Sequence, residues 1–194
     1  MDDPDGYFGE PIAASYDDPA DSMFQPEAID PAVSLLAELA GSGRALELAI
    51  GTGRIGLPLS RRGVPVHGIE MSQAMLARLR SKPGGQAIDV TIGDMVTTRV
   101  DGTFTVAYLV CNTINNLTSQ EAQVACFRNV TGHFTPGGCF VIETAIRTCA
   151  ICRPGKTSGA PMQAPGGSSA TASTTLPRST AAITSSSPMG RGST

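Results

Sequence analysis

The chain has 194 residues, of which 41% are hydrophobic and 16% charged, and carries a net charge of −3, which is enough for one domain with a sizeable core and short for two. Residues 1–152 hold all seventeen acids and ten of the fourteen bases, a net −7, while the rest holds four bases, no acid and no aromatic residue. Without a basic stripe to displace counterions, a nucleic-acid or anionic-membrane partner is disfavoured, and apolar runs such as Val106–Cys111 fall far short of the roughly 18–20 residues of a membrane span.

The first residues, MDDPDGYFGE, lack the basic and apolar regions of a secretory signal, which points to a cytoplasmic protein. Residues 1–26 are rich in Asp, Pro and Gly and read as an N-terminal arm with one helical turn near Ala13–Tyr16. From Glu27 to Ala40, Ile29, Val33, Leu35, Leu36 and Leu39 recur at helical spacing, and Gly41 and Gly43 stop the helix. Ala45–Ile50 is a short apolar run of strand length interrupted by Glu47. A glycine turn at 51–53 leads to a helix over Ile55–Arg62. Val64–Ile69 reads as a second strand and Ser72–Arg80 as a helix capped by its serine, ended by KPGG. Ala87–Ile92 and Phe104–Val110 give a third and fourth strand. A helix over Gln120–Thr131, the PGG turn at 136–138 and a fifth strand over Cys139–Thr144 follow. Strands that alternate with helices and are apolar on both faces imply a parallel sheet covered on both sides, an α/β Rossmann-like, doubly wound architecture.

The segment that carries chemistry is ELAIGTGRIG, residues 47–56. Gly51 and Gly53 accept positive φ and let a ligand approach the backbone, and the helix that follows offers unpaired amides. Gly51, Gly53 and Gly56 also spell the GxGxxG of dinucleotide sites, a weak pattern alone that leaves an NAD-dependent oxidoreductase as an alternative. Glu47 sits late in the first strand, where a buried carboxylate needs a partner. Glu70 ends the second strand, where an acid can accept both hydroxyls of a ribose. Asp94, in the IGDM turn after the third strand, can accept from an exocyclic adenine amine.

In this ordered set the chain resembles the class I S-adenosylmethionine-dependent methyltransferases over about residues 27–145. Their first motif, E/DxGxGxG, is matched by Glu47, Gly51 and Gly53, with Ala49 in place of its first glycine. Their acids after the second and third strands match Glu70 and Asp94, and their fourth-strand region matches AYLVCNTINNL, residues 107–117. The resemblance implies S-adenosylmethionine as cofactor and a small-molecule methyl acceptor. It places the backbone of Ala49–Gly53 on the methionine portion, Glu47 where it orients the turn and reaches toward the amino group, Glu70 on the ribose, Met71 against adenine, and Asp94 with Met95 at the base edge. Val110, Cys111 and Asn112 would border cofactor and acceptor, and Tyr16 resembles the tyrosine that covers the cofactor in many such enzymes. Methyl transfer from a sulfonium needs mainly alignment in a dry site, so no catalytic residue is assigned. His67 and His133 read as structural.

Five cysteines at irregular spacing read as free thiols, and CAIC at 149–152 lacks the second pair a metal site needs. Residues 147–194 have the composition of a disordered tail. They are also consistent with a frameshift near Arg147, since a one-base shift lets the tail read strings such as TRWQLGY and EYDVATQ. On either reading the C-terminal strands of the methyltransferase sheet are missing, strand five is an exposed edge, and the chain is a C-terminally impaired enzyme or a catalytically silent fragment. Oligomeric state is not legible.

Overall fold

Apolar runs of strand length appear as the strands of one sheet in the computed structural model, which describes residues 6–145 and 178–184. The arm contains α1 (Glu10–Ser15) between two single helical turns. It is followed by α2 (Pro26–Ala40), β1 (Ala45–Leu48), α3 (Gly56–Arg61), β2 (Val66–Glu70), α4 (Gln73–Ser81), β3 (Asp89–Ile92), β4 (Phe104–Leu109), α5 (Gln120–Thr131), β5 (Phe134–Ala145) and β6 (Arg178–Thr184). The sheet order is β3-β2-β1-β4-β5-β6. Its first five strands are parallel, with Ala45 opposite both Val66 and Val106 and with Val106 opposite Cys139.

Strand side chains alternate between faces, and the core accordingly has two parts. Ala45, Val106, Tyr108, Cys139 and Val141 pack with α2, α3 and α4 through Val33, Leu36, Leu57, Leu59 and Leu79. Leu46, Leu48, Ala107, Leu109, Phe140 and Ile142 face α5 through Cys126 and Val130. Burial of β1 on both faces explains why its ALEL run is apolar except for Glu47. Between β3 and β4 no helix forms; residues 94–100 cover the sheet as a loop, held by the Asn129 side chain, which donates to Met95 O and Thr98 O at 2.9 and 2.8 Å.

Three expectations change. β3 is half exposed rather than apolar on both faces, because an edge strand has one neighbour. The arm folds back on the domain: Ala13 is buried against Ala74 and Met75, with Phe8 and Tyr16 alongside. The expectation that strand five is an exposed edge is also corrected, since β6 pairs antiparallel with β5 from Cys139–Thr184 to Ala145–Arg178. The frameshift and disordered-tail readings otherwise fall on 146–177 and 185–194, and with them CAIC, outside the described residues.

Candidate active site

Strand order reverses between β1 and β4, and such a switch point opens a crevice at the carboxyl ends of the strands. The β1–α3 loop turns there through left-handed conformations at Ala49, Gly51 and Gly53, with φ of 52°, 58° and 81°. Glu70, only 6% exposed at the end of β2, accepts from Gly51 N at 2.7 Å through one oxygen and from Ser72 N at 2.8 Å through the other. One carboxylate thus locks the glycine turn to the start of α4. Ser72 caps α4 by accepting from Met75 N at 3.0 Å and donates to Phe8 O of the arm at 2.7 Å. Asp94 accepts from Val96 N at 2.8 Å and so forms the turn after β3.

A cavity of about 280 Å³ lies between these turns, lined by Ala49, Glu70, Met71, Asp94 and Met95 among others. Five of the eleven residues singled out in the sequence therefore meet in one cavity. Asn116 and Leu117 complete it from the far end of the LVCNTINNL run, although the sequence did not mark them individually. Phe8 closes the arm side, and only the tertiary fold could have placed it there.

The other six take different places. Glu47 is 3% exposed and lies behind the turn: Tyr108 donates to its carboxyl at 2.9 Å, and a Cβ at Gly56 would approach that oxygen to 2.6 Å. Burial pushes its pKa up to about 8, against the Tyr108 hydrogen bond, which lowers it. Burial and the adjacent Glu47 raise Tyr108 well above its ordinary value. Gly51 sits in the turn through its amide. Gly53 faces the other way, where a Cβ would lie 2.4 Å from Leu79 Cδ1, so packing of α3 and α4 requires this glycine. Val110 lines a second cavity, of about 650 Å³, between α2 and the ends of β4 and β5. Asn112, at φ 57°, follows Cys111 at φ 59° in a double left-handed turn and lines neither cavity.

Tyr16 stands edge-on between Phe8 and Phe24, with ring centroids 6.4 and 6.0 Å away. Burial raises its pKa, with Cys111, Asp17 and Glu70 adding to the rise and Arg54 opposing it. The SYDD stretch supplies another tie that the sequence did not reveal. Asp17 accepts from Thr52 Oγ1 at 2.6 Å and pairs with Lys82 at 2.8 Å. Arg54, inside the glycine motif, donates to Met23 O at 2.8 Å and contacts the Cys111 sulfur. Neither histidine reaches the crevice. His133 Nε2 accepts from Val100 N at 3.1 Å while Nδ1 meets Asn129 O at 3.0 Å, and His67 meets Thr91 Oγ1 at 2.9 Å. Burial lowers both histidine pKa values. Among the described residues no cluster of His, Cys, Asp and Glu could hold a metal, and no helix is long and apolar enough to cross a membrane.

A parallel sheet with this strand order, a left-handed glycine turn after β1 and acids at the ends of β2 and β3 is the arrangement seen in α/β domains whose ligands bind at the switch point. Residues 45–138 match the family model described as a methyltransferase domain. The chain is 32% identical over 109 residues to YqeM of Bacillus subtilis (strain 168), which bears the name of a methyltransferase, covering 55% of this chain and 44% of that protein. The CcbJ methyltransferase from Streptomyces caelestis superposes with a TM-score of 0.65 at 31% identity, covering 71% of this chain and 57% of its own. The glycopeptide N-methyltransferase MtfA, solved with S-adenosylmethionine, gives 0.58 at 27% identity over 72% of this chain and 57% of its own. Over these residues the chain is similar to S-adenosylmethionine-dependent methyltransferases, and it spans less than two thirds of the length of each of these relatives.

Proposed function

We propose that the chain is the cofactor-binding part of a methyltransferase that transfers the methyl group of S-adenosylmethionine to a small-molecule acceptor. The observation that carries this reading is the cavity in which two carboxylates, Glu70 and Asp94, stand beside two methionine side chains. The donor set fits an adenosine. A carboxylate oxygen has two lone pairs, so Glu70, although it accepts from Gly51 and Ser72, keeps capacity for the ribose hydroxyls. Asp94 stands at the rim for the adenine amine, while Met71, half exposed, and buried Met95 offer apolar surface to the base. A volume of about 280 Å³ lies at the lower edge of the roughly 300–1,000 Å³ of small-molecule sites, a size for the nucleoside rather than the whole cofactor.

When bound, the cofactor supplies an electrophilic methyl on a sulfonium. The chain's own residues orient and enclose it: the backbone of the 49–53 turn, held by Glu70, borders the amino-acid end, and Tyr16, tied through its neighbour Asp17 to Thr52, shields it from water. The reaction needs no metal-activated nucleophile, and the histidines are committed to structural hydrogen bonds.

Isothermal titration of the 194-residue chain with S-adenosylhomocysteine and, separately, NAD tests the reading. Binding of S-adenosylhomocysteine alone is expected, weakened about tenfold by Asp94→Ala through one lost hydrogen bond to a charged group. Binding of NAD in its place would overturn the proposal, and an unchanged affinity in the variant would remove Asp94 from the site.

A further inference from the structure

The larger cavity, of about 650 Å³, is well within the size of small-molecule sites. It opens beside the strand-end rim on the α2 side of the sheet. Its walls are apolar: Leu35 and Leu36 from α2, Val110 at the end of β4 and Val141 in β5. Its charge has one sign, since among the described lining residues Glu27 and Glu143 are carboxylates and none is a cation. Glu143 is also joined to the left-handed turn that follows β4. Its Oε2 accepts from Cys111 N at 3.0 Å, and its backbone carbonyl accepts from Asn112 N at 3.2 Å, which holds the carboxylate at the β4 end.

We infer that this cavity binds the methyl acceptor and that the acceptor is an amphipathic amine, with its apolar body against Leu35, Leu36 and Val141 and its nitrogen beside Glu143. This rests on the methyltransferase reading above. An apolar wall that carries only negative charge favours a cation with a hydrocarbon body and repels a carboxylate or phosphate of the same shape. Transfer to such a nitrogen balances simply. The bound ammonium first releases a proton to water at the cavity mouth. The nitrogen lone pair then forms the C–N bond while the electron pair of the S–C bond returns to sulfur, leaving a neutral thioether and a methylated ammonium.

The test uses the full chain and three probes of one shape, 2-phenylethylamine, 2-phenylethanol and phenylacetate, titrated by ligand-observed NMR in the presence of S-adenosylhomocysteine. The expected order is amine, alcohol, carboxylate. Glu143→Gln, whose amide oxygen still accepts from Cys111 N, is expected to weaken the amine about tenfold and leave the alcohol unchanged. Ala28→Phe, on α2 at the cavity wall, is expected to abolish binding of amine and alcohol while S-adenosylhomocysteine still binds. Equal affinity for amine and carboxylate, or an amine affinity indifferent to Glu143→Gln in a variant with the parental circular dichroism, would overturn the inference. Amine binding without S-adenosylhomocysteine binding would overturn the cofactor reading and with it the acceptor role. S-adenosylhomocysteine binding without amine binding would overturn the acceptor class alone.

Discussion

The cavity at the ends of β1, β2 and β3 and the cavity between α2 and the ends of β4 and β5 both lie along the carboxyl ends of the strands, with no lining residue in common, and their polar groups are held differently. In the first, the acids are built into the backbone: Glu70 accepts two amides from two different turns, and Asp94 forms its own turn. In the second, Glu143 accepts from the Cys111 amide at the end of β4 and faces an apolar wall whose Leu35 is 38% exposed. A carboxylate that also closes a turn cannot be exchanged without loosening the loop that carries it. Glu143 stands in the strand β5 itself, and Gln there keeps an oxygen that accepts from Cys111 N. The difference separates a region whose ligand contacts are bound up with folding from one whose contacts are free to set specificity.

The sharpest way to probe the first region is the acid buried beneath it. Glu47 has an ordinary pKa of 4.5 and is pushed to about 8 by burial. Between those values the folded chain holds a proton that the unfolded chain has released, so this group makes stability fall as pH rises from 4.5 to 8. His67 and His133, lowered by burial, act in the opposite sense, because stability is lost as pH falls below 6.5 toward their folded values. From pH 6.5 to 8 the Glu47 effect therefore stands without theirs. Urea unfolding across that window is expected to show falling stability in the parent chain and a flat profile in Glu47→Gln; the slope is the readout. A flat parent profile would mean that Glu47 is ionised beside Tyr108.

Glu70→Ala comes next in size. It strips two buried amides of a charged acceptor, so a loss of about 3 kcal/mol in stability is expected, with S-adenosylhomocysteine affinity falling with it. If affinity fell while the denaturation midpoint held, Glu70 would be a ligand contact alone, and the contrast between the two cavities would collapse. Gly53→Ala is expected to cost about 2 kcal/mol, from a left-handed φ of 81° together with a Cβ pressed on Leu79. Gly63→Ala, at φ 87° with nothing within 4 Å, separates the two causes and should cost about 1 kcal/mol. Thermal melts of the pair check the difference, and equal shifts would assign the whole effect to φ.

What could be read from the sequence follows the range of the interactions. β1, β2 and β4 are buried runs, and Ser72 caps α4, so periodicity and local chemistry placed them within a few residues. Glu70, Met71, Asp94 and Met95 follow directly on strand ends, and a doubly wound sheet brings such ends together. Other features depended on distant partners. α1 is six residues long and buries only Ala13, so its helix owes its place to Ala74 and Met75 on α4. Gly53 looks like a ligand-facing glycine in the motif, and only the position of Leu79 shows its packing role. β6, RSTAAIT, has no apolar alternation, and its strand exists by pairing with β5. The α2 cavity needed Glu143 and Glu27, more than a hundred residues apart in the chain, to be seen on one wall.

The smallest expected effect is at Ala49, where this chain departs from the family motif. Its φ of 52° is a conformation that costs a residue with a Cβ roughly 1–2 kcal/mol, and glycine there would gain that back less about 0.5–1 kcal/mol of added chain entropy. Ala49→Gly is therefore expected to stabilise the chain by about 0.5 kcal/mol, measured by urea unfolding. Because Ala49 also lines the nucleoside cavity, the same change removes a methyl from its wall and should leave S-adenosylhomocysteine affinity equal or slightly tighter. Stabilisation with weaker binding would show that the Ala49 methyl is itself a ligand contact and that even the backbone-built cavity carries a side chain tuned for its occupant. Destabilisation would show that the loop holds its left-handed turn through Glu70 and Gly51 without strain at Ala49, and that the glycine of the motif is dispensable where the neighbouring carboxylate clamps the turn.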